Sequence, residues 1–286
     1  MTLETADTAL PIRVIELVGL PGTGKSTIAH CLESILGRAG VPIKSKSAVL
    51  ADQRHFMHRQ QKRLQLIVRN AGKCGNLYRR SFELIAQSAQ RSTLDFIAVV
   101  SNFWSMIALM AEGRAAGDSF IVADQGLVQA LWSVQLSSSK TLSLDSWRPL
   151  LVSAGIADML LVHLETDISV SRDRVSARPQ SRTRLISGSS EELLSRWQIA
   201  SKNMSDLVEW ARRTMPHDQH GARVLSVMNH EGAPEAAAAE IASAYFKRDT
   251  FRARASRARP GQERAHEDRL LDHPNGQHRG SANPCA

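Results

Sequence analysis

The chain is poor in the residues that mark several protein classes. It has three cysteines, Cys31, Cys74 and Cys285, whose spacing suggests neither a disulfide framework nor a zinc site, so we expect a cytoplasmic protein. The longest uncharged run, residues 96–111, contains serine and asparagine and is too short to span a bilayer comfortably; it is typical of a buried core helix. Residues 1–11 lack the cationic and apolar segments of a secretory signal, and we expect them to be a flexible N-terminus.

Basic residues are concentrated at the C-terminal end. The net charge is +8, and residues 247–286 contain nine Lys/Arg against five Asp/Glu. Four arginines between Arg252 and Arg259 could contact nucleic acid or an anionic surface. However, no aromatic residues alternate with them to stack on bases, and residues 260–286 have few large apolar groups to bury. We therefore predict a basic disordered tail over residues 249–286 and do not expect nucleic-acid binding.

Short apolar runs alternating with helical patterns predict an α/β protein. The five runs are Val14–Val18, Ser47–Ala51, Phe120–Ala123, Met159–Leu164 and Arg223–Met228. Five strands with connecting helices predict a three-layer α/β/α domain over residues 12–248, built on a five-stranded parallel sheet. Residues 51–119 have a mostly helical periodicity and exceed the length of one crossover, so we expect a helical insert that covers the acceptor side of the site. Ligands in such sheets bind at the carboxyl ends of the strands.

A phosphate-binding motif follows the first run. Residues 19–26 read Gly-Leu-Pro-Gly-Thr-Gly-Lys-Ser, which satisfies the Walker A pattern GxxxxGK[ST] between a strand and a helix. Backbone N–H groups and the positive end of the helix can hold a triphosphate. Lys25 can reach the β- and γ-phosphates, and Ser26 can bind Mg²⁺. The candidate nucleotide-binding residues are Gly19, Pro21, Gly22, Thr23, Gly24, Lys25, Ser26 and Thr27. The alternative is a glycine-rich turn without a ligand.

An acidic residue ends the third run. Asp124 can hold the Mg²⁺ that bridges the phosphates, or it can cap the helix predicted over residues 126–136. Residue 125 is Gln, whereas many motor-type ATPases have a water-activating Glu there, and no Asn-Lys-x-Asp quartet is present to bind guanine. Gln125 could orient a water molecule, which keeps nucleotide hydrolysis as an option.

Arginines cluster after the fourth run. They are Arg172, Arg174, Arg178, Arg182 and Arg184. Arg174 and Arg178 are four residues apart on one face of a helix predicted over residues 168–177, and a polar loop follows. Phosphoryl transfer requires cations around the transferred group, so residues 172–190 suggest a movable lid with Arg174, Arg178 and Arg182 as catalytic residues. The alternative is a solvated cationic face.

These motifs together resemble the P-loop nucleoside and nucleotide kinases, above all thymidylate kinase-like proteins. The resemblance is carried by residues 19–26, by Arg174-Val-Ser-Ala-Arg178 after Leu164-Glu165, and by the last strand and helix, residues 224–229 and 234–246. It implies a P-loop fold, ATP and Mg²⁺, and phosphoryl transfer to a nucleoside or nucleotide. It also implies that residues 228–231 lie beside the base of the donor, and it leaves a homodimer open.

Two positions concern the phosphate acceptor. The family usually has Asp-Arg after the third strand, where this chain has Asp124-Gln125. An acceptor without a phosphate, or one bound by another arginine such as Arg79 or Arg80, therefore fits as well as thymidylate. Nucleoside kinases often place a carboxylate base after their second strand; Asp52 is the candidate base here, or it caps the helix that begins near Gln53.

The sequence therefore predicts an ATP-dependent phosphotransferase that acts on a small-molecule acceptor. The alternative is an ATP-binding switch protein or an NTPase without such an acceptor.

Overall fold

Five parallel strands form one sheet in the order β2-β3-β1-β4-β5. The strands are β1, Val14–Val18; β2, Ile43–Ser45; β3, Phe120–Ala123; β4, Met159–Glu165; and β5, Val224–Met228. The computed structural model describes residues 12–45, 56–115, 120–177, 190–215, 223–230 and 233–257. The chain divides into a compact unit, residues 1–244, and a second unit, residues 245–286, of which 245–257 are described.

The observed strands match four of the predicted runs closely. β1 and β3 have the predicted bounds, and β4 and β5 differ by one residue at one end. The second strand lies earlier than expected, at Ile43–Ser45, and the run 47–51 lies outside the described residues. Because all pairings are parallel, the carboxyl ends of the strands meet at one edge: Val18 pairs with His163, and Glu165 pairs with Met228.

Helices connect the strands. They are α1, Lys25–Arg38; α2, Phe56–Arg69; α3, Ala71–Gln87; α4, Thr93–Ala115; α5, Leu127–Ser137; α6, Leu144–Ser153; α7, Ile168–Ser176; α8, Ser190–Thr214; and α9, Pro234–Arg257. α1 packs on β1, β2 and β3, and α5 packs on β1. Right-handed crossovers place α1 on one face of the sheet and α5 and α8 on the other. The chain thus has the predicted three-layer α/β/α P-loop fold.

The described part of the predicted insert consists of α2, α3 and α4. α4 contains the uncharged run and packs against α2, α3 and α5, with Phe103, Met106 and Ile107 fully enclosed. It is the one helix of the described residues that is long and apolar enough to cross a membrane, with a mean hydropathy of 1.7. Trp104 stacks on Tyr78 of α3 at 5.1 Å between ring centroids. These contacts make α4 a core helix of the fold, as its composition predicts.

Two further helices complete the domain. One face of α8 is apolar and buried; its enclosed members are Trp197, Ala200, Met204, Leu207, Val208 and Ala211. α9 begins at Pro234, where the resemblance placed the last helix; a proline in the first turn and the adjacent Glu235 favour a helix start. It continues to Arg257, so residues 249–257 are helical although the sequence predicted a disordered tail there. Residues 258–286 lie outside the part that the structure describes.

Candidate functional site

The glycine-rich loop connects β1 to α1 at the carboxyl edge of the sheet. Gly22 has φ 89° and Gly24 has φ 86°, the left-handed region that side chains rarely adopt. A Cβ on Gly22 would lie 2.3 Å from the Ser171 carbonyl oxygen, and one on Gly24 would lie 2.7 Å from Asn229 Nδ2. Both positions therefore require glycine, because the loop is packed tightly between α7 and the end of β5.

Lys25 places its ammonium group within the curve of this loop. Lys25 Nζ donates to the carbonyl oxygens of Gly19 and Leu20, each at 2.7 Å, and the residue is only 9% exposed. It also approaches Thr23 Oγ1 at 3.4 Å. Among the described residues no side chain caps the start of α1, where Gly24 is the N-cap. A cation and the N–H groups of a helix start thus lie together, the combination that binds phosphate.

Ser26 and Asp124 meet at the mouth of the loop. Ser26 Oγ donates to Asp124 Oδ2 at 2.7 Å, because β1 and β3 are neighbours and both residues follow their strands. Ser26 is exposed and Asp124 is half-buried, so a ligand can reach both. Mg²⁺ prefers hard oxygen ligands and usually takes one or two carboxylates together with substrate phosphates. The pair fits that ion. Within the described residues, no three His, Cys, Asp or Glu side chains form a metal cluster.

A buried carboxylate in β1 holds the start of α5, and the sequence analysis did not assign it a role. Glu16 is 0% exposed and accepts hydrogen bonds from the backbone N–H groups of Gly126 and Val128, both at 3.1 Å, and of Gln129, at 2.7 Å. Gln129 Oε1 in turn accepts from the Gly19 N–H at 3.0 Å. The loop is therefore fixed to α5, and α5 is fixed to β1. The sequence did contain an indication of this role, because Glu16 is the one charged residue within the apolar strand Val-Ile-Glu-Leu-Val.

The end of β5 holds the loop from the other side. Asn229 Nδ2 donates to the Thr23 carbonyl oxygen at 2.7 Å, and the Asn229 backbone N–H donates to the Glu165 carbonyl oxygen at 2.9 Å. Of the residues expected beside the base of the donor, Met228 is 49% exposed and His230 is exposed. Glu231 lies outside the described residues.

Two of the predicted lid arginines are described: Arg172, which pairs with Asp173 at 3.5 Å, and Arg174, which contacts the loop. Arg174 lies on α7, and its Nη1 donates to the Gly22 carbonyl oxygen at 3.4 Å. Arg178, Arg182 and the candidate base Asp52 lie outside the described residues. On α3, Arg79 is exposed and pairs with Glu83 at 3.2 Å.

A cavity of about 470 Å³ lies beside the loop, between the ends of β4 and β5 and the middle of α8. Its lining includes Leu20, Thr23, His163, Glu165, Asp167 and Ser205. His163 and Glu165 share one face of β4, and His163 Nδ1 lies 3.3 Å from Glu165 Oε1. Burial lowers the pKa of His163, although Glu165 opposes that effect. The sequence analysis did not identify this pair. It could have been found from the sequence, because His163 and Glu165 alternate with apolar residues at the end of the strand.

Asp167 is the N-cap of α7 at the edge of the cavity. It accepts hydrogen bonds from the backbone N–H and the hydroxyl of Ser169, at 2.8 and 2.7 Å. These hydrogen bonds lower the pKa of Asp167, which keeps the carboxylate ionised at neutral pH.

No family model and no curated protein sequence matches the chain. Among solved structures, it is similar to deoxyadenosine kinase from M. mycoides, with TM-score 0.42, 14% identity and coverage of 80% of this chain and 97% of that one. It is also similar to shikimate kinase from Acinetobacter baumannii, with TM-score 0.38, 15% identity and coverage of 82% and 92%. The fold assignment rests on the strand order and the loop geometry described above.

Proposed function

We propose that this chain is an ATP-dependent phosphotransferase that moves the γ-phosphoryl group to a small-molecule acceptor, in the first place a nucleoside or a nucleotide. The observation that best supports this proposal is the 2.7 Å hydrogen bond from Ser26 Oγ to Asp124 Oδ2, at the mouth of the loop that encloses Lys25. A strand, a phosphate loop and a carboxylate from the neighbouring strand are the recurring parts of sites that bind a nucleotide with its metal ion.

In this account the described residues act by binding and orientation. The Lys25 ammonium exchanges its loop carbonyl partners for oxygens of the β- and γ-phosphates, and the amides at the start of α1 bind the same groups. Mg²⁺ held by Ser26 and Asp124 would neutralise negative charge on these phosphates. We assign Arg174 a contact with the polyphosphate, and its hydrogen bond to the Gly22 carbonyl oxygen of the loop supports this assignment. Catalysis then comes mainly from positioning and charge stabilisation.

The transfer itself balances without a further reactant. The acceptor oxygen forms a bond to the γ-phosphorus, the bond to the β–γ bridging oxygen breaks, and ADP leaves. The acceptor proton passes to a base, for which Asp52 is the candidate from the sequence.

Acceptor-dependent release of ADP tests this function. The full chain is incubated with ATP, Mg²⁺ and panels of nucleosides, nucleotides and sugars, and ADP is measured by a coupled assay. We expect stimulation by at least one class of acceptor. Asp124→Asn should reduce turnover by roughly 100-fold or more with an unchanged melting temperature, because it removes a charge that acts on the phosphates. The control Asp206→Asn, an exposed carboxylate on α8 paired with Lys202, should retain turnover.

Two results would contradict the proposal. Full turnover in Asp124→Asn would exclude the assigned metal site. ATP binding without stimulation by any acceptor would favour an ATP-binding switch protein.

A further inference from the structure

The first two helices of the insert carry a large excess of positive charge. Residues 56–91, which span α2, α3 and the loop before α4, contain eight Lys/Arg and one Asp/Glu, in a chain whose net charge is +8. Two of these arginines are paired, Arg79 with Glu83 at 3.2 Å and Arg69 with Glu112 of α4 at 2.9 Å. The segment contains no second acid to offset its other cations, so it presents a positive surface to a partner.

One face of α3 carries hydrogen-bond donors along its length. Lys73, Asn76, Arg80 and Gln87 are exposed, and their spacing of i, i+3, i+7 and i+14 places them on one side of the helix. This donor row is about 21 Å long, at a rise of about 1.5 Å per residue. Lysine, arginine, asparagine and glutamine are side chains that bind the phosphates of nucleic acids. A row of this length can contact several phosphates of one strand.

A cavity of about 180 Å³ lies beside the donor row, between α3 and α6. Arg80 and Gln87 of the row line it, and Ser146 of α6 adds a hydroxyl group that can bind the edge of a base. Its apolar lining comes from both helices and consists of Leu84, Pro149 and Leu150. The volume is below the range of about 300–1,000 Å³ of sites that enclose a drug-sized ligand, and it suits one planar base. A strand with a phosphate on Arg80 would therefore have a base next to this cavity.

The composition of the donor row favours nucleic acid over a membrane surface. A helix that binds a membrane joins its cations to an apolar face that enters the lipid. The donor row contains no apolar side chain, and Phe82, which α3 exposes elsewhere, packs on Phe96 of α4 at 5.3 Å between ring centroids. Single strands are favoured over duplexes, because a base can enter a cavity only when it is unpaired and unstacked.

From the charge, the donor row and the cavity we infer that α3, together with α6, binds single-stranded nucleic acid, with phosphates on Lys73 and Arg80 and one base in the cavity. The expectation against nucleic-acid binding concerned the C-terminal tail, where residues 252–259 are arginine, alanine and serine alone. On α3, amide donors accompany the cations. The inference does not depend on the proposed phosphotransferase activity.

The salt dependence of binding tests the donor row. Fluorescence anisotropy of the full chain with a labelled single-stranded oligonucleotide of mixed sequence is measured at several salt concentrations. The logarithm of the association constant should fall linearly with the logarithm of the salt concentration. Lys73→Ala/Arg80→Ala should reduce that slope by about 1.4, since each phosphate contact on a single strand contributes about 0.7. The control Lys202→Ala/Arg213→Ala removes two exposed cations from α8 and should leave the slope unchanged.

Filling the cavity tests the base subsite separately. Ser146→Phe places a ring in the cavity, so the Kd for the single strand should rise about 5-fold or more while the salt slope stays the same. The control Val152→Phe adds the same ring on an exposed position of α6 outside the cavity and should leave the Kd unchanged. The melting temperatures of both variants should equal that of the parent chain.

Several results would overturn the inference. They are absence of binding at about 50 mM salt and an unchanged slope in Lys73→Ala/Arg80→Ala. Equal or tighter binding of polyglutamate or of phosphatidylserine vesicles would assign the surface to an acidic protein or to a membrane instead. A duplex of the same sequence that binds as tightly as the single strand, or an unchanged Kd in Ser146→Phe, would exclude the base subsite and the preference for single strands.

Discussion

The replacement Glu16→Gln tests the link between the sheet and the phosphate loop. The carboxylate accepts three backbone hydrogen bonds at the start of α5, two on Oε1 and one, from the Val128 N–H, on Oε2. The carboxamide oxygen can retain the first two, but its NH₂ group then faces the Val128 N–H. Losing the charge on the retained bonds costs about 1 kcal/mol, and leaving one buried N–H without an acceptor costs about 2 kcal/mol.

The expected loss in the free energy of unfolding is therefore about 3 kcal/mol. At about 2–4 °C per kcal/mol for a domain of this size, the melting temperature should fall by about 6–12 °C in a calorimetric scan. The exposed control Glu240→Gln should change the free energy of unfolding by less than about 0.5 kcal/mol. A decrease below about 2 °C in Glu16→Gln would refute the inferred role of this carboxylate.

Three further replacements have separate outcomes. Asn229→Ala removes the 2.7 Å hydrogen bond to the Thr23 carbonyl oxygen, so the free energy of unfolding from chemical denaturation should fall by about 1–2 kcal/mol. ATP binding, measured by calorimetry, should also weaken. Unchanged ATP affinity would argue against a role of Asn229 in holding the loop. Gly22→Ala places a Cβ 2.3 Å from the Ser171 carbonyl oxygen at a residue with φ 89°, so the loop must shift. ATP affinity, measured by calorimetry, should therefore fall by at least about 10-fold. A variant with full ATP affinity would show that the loop is not held as described. Burial lowers the pKa of His163 below the usual 6.5, so the folded state loses stability as the pH falls below about 6.5. Urea denaturation should show this decrease, and a pH slope unchanged by His163→Gln would exclude this residue as its source.

Local patterns in the sequence were sufficient to predict the bounds of β1 and β3, which lie inside the sheet. β1 and β3 are apolar runs bounded by polar residues or glycine, and burial on both faces demands that pattern. β2 is an edge strand of three residues, Ile43-Lys44-Ser45, and an edge needs fewer apolar side chains. Its position could not be found from hydrophobicity.

Long-range contacts of the site were not predictable in the same way. The phosphate loop was identified from eight consecutive residues, whereas the bonds that fix it join Gly19 to Gln129 and Thr23 to Asn229, over 110 and 206 positions. A charge inside a buried strand indicates that Glu16 must find partners, but only the packed fold shows that they are the backbone amides of α5.

The central claim is that the loop between β1 and α1 binds the polyphosphate of a nucleotide with its metal ion. Titration calorimetry of the full chain with ATP, with and without Mg²⁺, measures this directly. We expect ATP binding that Mg²⁺ strengthens and that Lys25→Ala weakens by roughly 100-fold at an unchanged melting temperature, since the ammonium is the cation enclosed by the loop. Absence of ATP binding in the presence of Mg²⁺, or equal affinity in Lys25→Ala, would contradict the account.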